Sequence, residues 1–434
     1  MITFFDCELI PTIASELNMT PHLCKTTIFT ILAVFFSGVS QAQSFDDIGE
    51  NYANLAYASY NDSLISAQNL ADDIQALLDN PSEQTLISAK QSWTGARKIY
   101  GATEVFRFSH PVVDDWEPQV NAWPLDEGFI DYVDDNNYFY ELGNAVGKAN
   151  LIASDFITIG SEQIGLNAFT PELLASLNEA GGTEANVATG WHAIEFLLWG
   201  QDLNGTNQGA GNRPYTDFAT GDLCTNHHCT RRRNYLEAVT QLLVSDLEFI
   251  VSQWAAGANN YRSEFDAMSG DEKLRRILYG VGSLSLGELA GERMKVALYA
   301  NSTEDEHDCF SDTTHNTLNA NATGLAMVLR GEYETLAGEH ITGASLMGWS
   351  SANSNTHDSL SESTNLMLDA LNAIVESGET DQTFDQLIAP GNAKGVQLID
   401  QAIESLVNFT RNVELLAADL NLGTLNPDSA GHDF

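Results

Sequence analysis

Positive charge is what this chain has least of. Its 434 residues hold 19 Lys and Arg against 60 Asp and Glu, a formal net charge of −41. Nucleic acid is therefore excluded as a partner class, since binding it needs clustered cations to replace counterions. The one basic run, Arg231-Arg232-Arg233, is isolated and is expected to pair with local carboxylates. Strand-like alternation of any length is missing, and so is a glycine-rich phosphate loop, which leaves an all-α fold class. No Gly-x-Ser-x-Gly elbow occurs, and neither helical zinc-peptidase signature is present. In place of His-x-x-Glu-His, Phe196 follows Glu195 where the inverted motif wants its second imidazole. The apolar run 28–36 is too short to span a membrane comfortably, and no Cys follows it to accept a lipid.

That run does fit a targeting segment. Lys25 precedes it, and Ser40 and Ala42 suit cleavage before Gln43, so residues 1–42 read as a signal for export, with Met19 an alternative start. The mature chain is expected to divide into helical domains at 43–235 and 236–434, a length sufficient for two cores. Three cysteines remain in it. Cys224 and Cys229 bracket Thr-Asn-His-His, and an exported setting favours a disulfide over zinc held through His227 or His228. The acidic surface keeps the protein soluble and concentrates cations around it, and would equally suit a salty habitat.

Helical spacing of apolar residues runs through 45–78, from Ser82 past Glu104, 138–158, 231–254, 273–299, 318–338, 359–377 and 393–420. Prolines at 111, 118 and 124 keep 107–137 irregular. On the second helix Trp93, Arg97, Tyr100 and Glu104 fall on one stripe, and later Glu288 and Glu292 lie one turn apart.

The rest is organised around Gly190-Trp191-His192-Ala193-Ile194-Glu195-Phe196-Leu197-Leu198-Trp199-Gly200. This is a short helix between two glycines, apolar on every side and therefore buried. His192 and Glu195, three residues apart, project from one face. Ionisable groups are costly in the interior unless paired, hydrogen-bonded or metal-bound. The pair is thus either a structural ion pair completed by an Arg or half of a metal or polar site. Asp126 or Glu127 from the Trp-rich loop is a candidate third ligand, and the run Glu304 to His315 has a metal-binding composition.

Gly190-Trp191-His192-Ala193-Ile194-Glu195 matches the Gly-x-His-x-x-Glu motif of the imelysin family, which includes iron-regulated protein A-like proteins. Trp93–Tyr100, Asn121–Glu127 and Glu304–Asp312 resemble that family in the same order. The resemblance implies two helical-bundle halves related by duplication with a cleft between them, an envelope location and a link to iron acquisition. It places His192 and Glu195 in the motif, with Arg97, Glu104, Asp126 and Glu127 facing them from the first half and Ser311 and Asp312 from the second. His192, Glu195, Glu104 and Asp126 would be metal ligands, for iron or zinc. Arg97, Glu127, Ser311 and Asp312 would be binding residues. Asp308 departs from the Ser that many relatives carry before the Cys, which lowers the expectation for that position. One imidazole with several carboxylates is a hard, oxygen-rich set. A metal- or ligand-binding protein is the first reading. A metal-dependent peptidase using the same His/Glu cleft and an envelope interaction module are the alternatives, with Ser311 a conceivable nucleophile in a peptidase.

Overall fold

The computed structural model describes residues 43–134 and 143–434, so the targeting segment with Cys7 and Cys24 lies outside it. Among the described residues the long helices are α1 (Phe45–Asp79), α2 (Glu83–Gly101), α3 (Gly190–Trp199), α4 (Cys229–Trp254), α5 (Gly270–Ser283), α6 (Thr314–Arg330), α7 (His357–Thr380) and α8 (Ala393–Asp419). The fold is all-α, as the spacing predicts. Two short antiparallel hairpins, Phe156–Ile159 with Glu162–Gly165 and Glu332–Glu334 with His340–Thr342, are too small to carry a sheet core.

Local chemistry sets the helix starts. Ser44 accepts from the Asp47 amide at 3.1 Å while the Asp47 carboxylate accepts from the Ser44 amide at 3.0 Å, a reciprocal cap that opens α1. Ser82 and Thr85 do the same for α2. α1 packs against α2 and α4, α7 packs against α8, and α2 touches both α3 and α6. That last arrangement positions the site, because side chains from α2 reach α3 on one side and the segment preceding α6 on the other.

Four local expectations change. The stretch expected to be helical at 138–158 is, over its described part, a series of turns leading into the strand at Phe156. The helix expected at 318–338 ends at Arg330, where Gly331 turns left-handed (φ +69°) into the second hairpin. The helix expected across 273–299 changes after Ser283 into a π-helix, Leu284–Val296. Five-residue spacing there puts Arg293, not Glu292, over Glu288, and Glu292 instead meets His432 at 3.0 Å. Finally, among the described residues only Arg232 of the basic run pairs with a carboxylate, Asp131. Arg231 and Arg233 donate to backbone carbonyls, which are abundant where the chain turns around the start of α4.

Candidate metal centre

Helix α3 is buried along its whole length. Gly190 has φ +79°, and a Cβ there would collide with the Val120 backbone, so the first letter of the motif is set by close approach of two chains. Trp93 on α2 donates its indole N–H to the Trp191 carbonyl at 3.0 Å, which pins α2 to α3 beside the histidine.

His192 Nδ1 lies 3.0 Å from Glu195 Oε2, the i,i+3 geometry read from the sequence. The other carboxylate oxygen, Oε1, accepts from the Ser311 amide at 3.0 Å and from Ser311 Oγ at 2.7 Å. Burial, and after it Asp308, push the Glu195 carboxyl well above its usual range, against the pull of the two Ser311 donors. Burial, then Arg97, hold His192 well below the ordinary imidazole value, so the ring is neutral. A neutral ring that gives its Nδ1 proton to Glu195 keeps a lone pair on Nε2. Arg97 NH2 donates to that lone pair at 3.2 Å.

Arg97 is the hub. Its Nε donates to Asp308 Oδ1 at 3.0 Å, and its NH2 also lies 3.1 and 3.3 Å from the two nitrogens of His307. Burial first, then Arg293 and Arg97, keep His307 neutral as well. The Asp308 carboxylate accepts a further hydrogen bond from Thr317, and the Asp308 amide donates to Thr314 Oγ1 at 2.9 Å. Trp123 stands edge-on to His307, with ring centroids 5.1 Å apart, and donates to the Glu306 carbonyl at 2.7 Å. Arg97 NH1 is buried with no hydrogen-bond partner among the described residues.

Ligand atoms of His192, His307 and Asp308 all fall within 4.8 Å of one another. Two neutral imidazoles and a carboxylate are the donor set of a facial three-ligand site for a borderline divalent ion. A carboxylate on the far nitrogen of a ligating His is the usual orienting partner, and Glu195 is one. The guanidinium of Arg97 stands among these donors, so the set fits a metal once that side chain moves aside.

Several expected residues lie elsewhere. Glu104 looked aligned with Arg97, but α2 gives way at Gly101 to a 3₁₀ turn, Ala102–Phe106, and the side chain swings to Arg293, Asn121 and Asn321. Asp126 accepts from Asn144. Glu127 is buried, and its carboxyl is pushed up by burial and then by Glu304. Asp312 faces Asp385 and Asp202 electrostatically rather than the imidazole. Ser311 does reach the motif, through Glu195. Its hydroxyl donates to that acid and to neither imidazole, so it lacks the adjacent base a serine nucleophile requires. His307 and Asp308 are the residues that sequence reasoning did not single out. Their signal was the two-histidine acidic run 304–315. Cys224 and Cys229 are joined by a disulfide, and Cys309 is free.

No curated protein matches this chain. Among solved structures, it resembles one described as an iron-regulated protein A precursor from Parabacteroides distasonis, with 14% identity and a TM-score of 0.61 over 88% of this chain and 97% of that one. An imelysin-like protein from Psychrobacter arcticum matches with 15% identity and a TM-score of 0.53, over 86% and 94%. Both likenesses concern the fold. The Imelysin family model matches residues 56–413, which takes in α2, the whole of α3 and the 304–312 loop. On that match, with the motif geometry in place, the chain belongs to the imelysin family.

Proposed function

We propose that this protein is an exported metal-binding component linked to iron acquisition, and that His192, His307 and Asp308 hold the ion. The observation that carries this reading is the His192–Glu195–Ser311 relay. With Arg97 donating to Nε2, it keeps the His192 proton on Nδ1 and leaves the Nε2 lone pair of a buried neutral imidazole, covered only by that guanidinium, beside a second imidazole and a carboxylate. A plain ion pair between Arg97 and Asp308 needs no such relay. When bound, an ion would supply positive charge and Lewis acidity there; the protein's part is to orient the donors and exclude water. Arg97 holds the donors together in the ion-free state and is displaced on binding. The link to iron rests on the family and on the iron-regulated protein A relative. Among the described residues no helix is long and apolar enough to cross a membrane.

Protein purified without a polyhistidine tag and titrated with Fe(II) or Zn(II) in a calorimeter should bind one equivalent tightly. His192→Ala should lose that equivalent. If His192→Ala binds as tightly as wild type, the site is elsewhere and the reading fails. A metal-dependent peptidase using the same residues is the second reading; a serine nucleophile is disfavoured within it, because Ser311 donates to Glu195 and has no imidazole partner among the described residues.

A further inference from the structure

A second group of buried acids lies beside the histidine cluster and takes no part in it. Glu306 precedes His307 in the 301–313 loop. Asp312 closes that loop in a left-handed conformation (φ +55°), and Asp385 sits in a single helical turn, Phe384–Leu387, between α7 and α8. Glu306 and Asp385 are fully buried (0% exposed), and Asp312 is 6% exposed. Asp385 and Asp312 are the charges Glu306 feels most strongly, and Asp202, from the segment after α3, acts on all three.

What sets these acids apart is the absence of anything that answers them. Both oxygens of Glu306, both of Asp385 and Oδ1 of Asp312 are buried with no hydrogen-bond partner among the described residues. The Gly209 backbone favours the ionised form of Asp312, whose orphaned oxygen is Oδ1 alone, while Thr314 near Glu306, and Thr383 with the Gln386 amide near Asp385, do so from outside hydrogen-bonding geometry. Several other buried acids are met by a cation. Asp131 has Arg213 and Arg232, Glu104 has Arg293, and Asp308 has Arg97. No Lys or Arg forms an ion pair with Glu306, Asp312 or Asp385 among the described residues. These five unanswered oxygens belong to three carboxylates, and each carboxylate is costly to ionise in the interior unless a cation meets it.

We propose that Glu306, Asp312 and Asp385, with Asp202 at their edge, form a second cation site, separate from His192, His307 and Asp308, that takes a hard oxygen-seeking ion of the Ca²⁺ type. All of its ligands are carboxylate oxygens and none is nitrogen or sulfur, which selects hard cations over the borderline metals suited to the imidazoles. Its oxygens are spread more widely than the 4.8 Å that encloses the histidine cluster. Binding therefore draws the Phe384–Leu387 turn toward the 301–313 loop and ties the carboxy-terminal helices to the segment that carries His307.

Trp123 offers a direct probe, because its indole is hydrogen-bonded to the Glu306 carbonyl. Titrating the protein with Tb³⁺ at 0.15 M salt, with excitation in the tryptophan band, should give saturable sensitised emission that Ca²⁺ displaces and Mg²⁺ displaces far less well. Asp385→Asn should weaken the tightest equivalent about tenfold or more. Glu306→Gln should do the same and guards against a local effect of the first substitution. Both variants should melt above wild type without added cation, since each removes an unanswered buried charge. His192→Ala should keep the Tb³⁺ equivalent, whatever it does to Fe(II) or Zn(II). Three results would overturn the proposal: no sensitised emission from wild type, wild-type affinity in both Asp385→Asn and Glu306→Gln, or loss of the signal in His192→Ala.

Discussion

Two buried arginines serve opposite designs. Arg293, on the π-helix, has all three guanidinium nitrogens bonded, to Glu288, Glu104 and Asn321, while both Glu104 oxygens are met by Arg293, Asn121 and Asn321. Burial alone would raise the Glu104 carboxyl, yet Arg293 and Arg97 outweigh it and hold it below the usual range. This network is closed. Arg97, on α2, has one nitrogen without a partner among the described residues and spends another on the rims of two neutral imidazoles. Imidazole lone pairs are weak company for a guanidinium compared with a second carboxylate. A buried network built for stability satisfies every charged atom, whereas one that leaves good metal donors facing a replaceable cation keeps a second state within reach.

The comparison breaks most readily at Arg293. Arg293→Met leaves Glu104 buried without its cation and should cost about 3–5 kcal/mol, read as a lower midpoint in denaturant unfolding. Added Fe(II) or Zn(II) should not restore it. A loss below about 1 kcal/mol would show that the network is not closed in the sense argued here.

Arg97→Met separates the two designs. Asp308 loses its cation, so the metal-free protein should be destabilised, but the donors His192, His307 and Asp308 remain. With free metal at about a hundred times its Kd, roughly 2.7 kcal/mol should return through binding to the folded state. Affinity should rise relative to wild type, because no guanidinium has to leave. Weaker binding by Arg97→Met than by wild type would mean that Arg97 belongs to the bound state, and the displacement idea would go.

These two clusters also mark where sequence reading stops. Gly190, His192 and Glu195 were legible because an i,i+3 pair on an apolar helix is a local fact, fixed by helical geometry alone. The all-α class followed in the same way from spacing. Ser311 came through the family resemblance. His307 and Asp308 were harder, because the bonds from Arg97 to them join residues more than 200 positions apart, and the unusual Asp308 argued against itself. Glu104 was misread for a specific reason: its stripe extends Arg97 and Tyr100 only if the helix continues, and the backbone tightens to 3₁₀ at Ala102. The π-helical change after Ser283 likewise re-pairs Glu288 with Arg293, which no α-helical wheel would show.

A finer cut tests the relay itself. Glu195→Gln keeps an acceptor for Ser311 but can offer its amide N–H to His192 Nδ1, which favours the other tautomer and puts the proton on Nε2. Metal affinity should fall about 10- to 100-fold with little change in folding. Nitrogen NMR shifts of His192 should report the tautomer change, and an unchanged tautomer with unchanged affinity would reduce Glu195 to a packing residue.

The smallest effect belongs to a carboxylate outside both clusters, and it calibrates what an isolated half-buried acid does here. Asp246 on α4 accepts from Gln119 Nε2 at 2.9 and 3.0 Å, and burial raises its pKa to about 6 against the one amide that lowers it. An acid whose folded value lies above its unfolded value of 3.8 favours the folded state most at low pH. Its contribution is fully present below about pH 4 and is lost as pH rises through 6. Asp246→Asn should therefore flatten stability between those limits, seen as a smaller difference in melting temperature between pH 4.5 and pH 7. The contrast with Glu104 is the point. One amide partner leaves the half-buried Asp246 carboxyl above its normal value, two amides and a guanidinium carry the buried Glu104 below, and the midpoint of each acid reads out how completely its surroundings are closed.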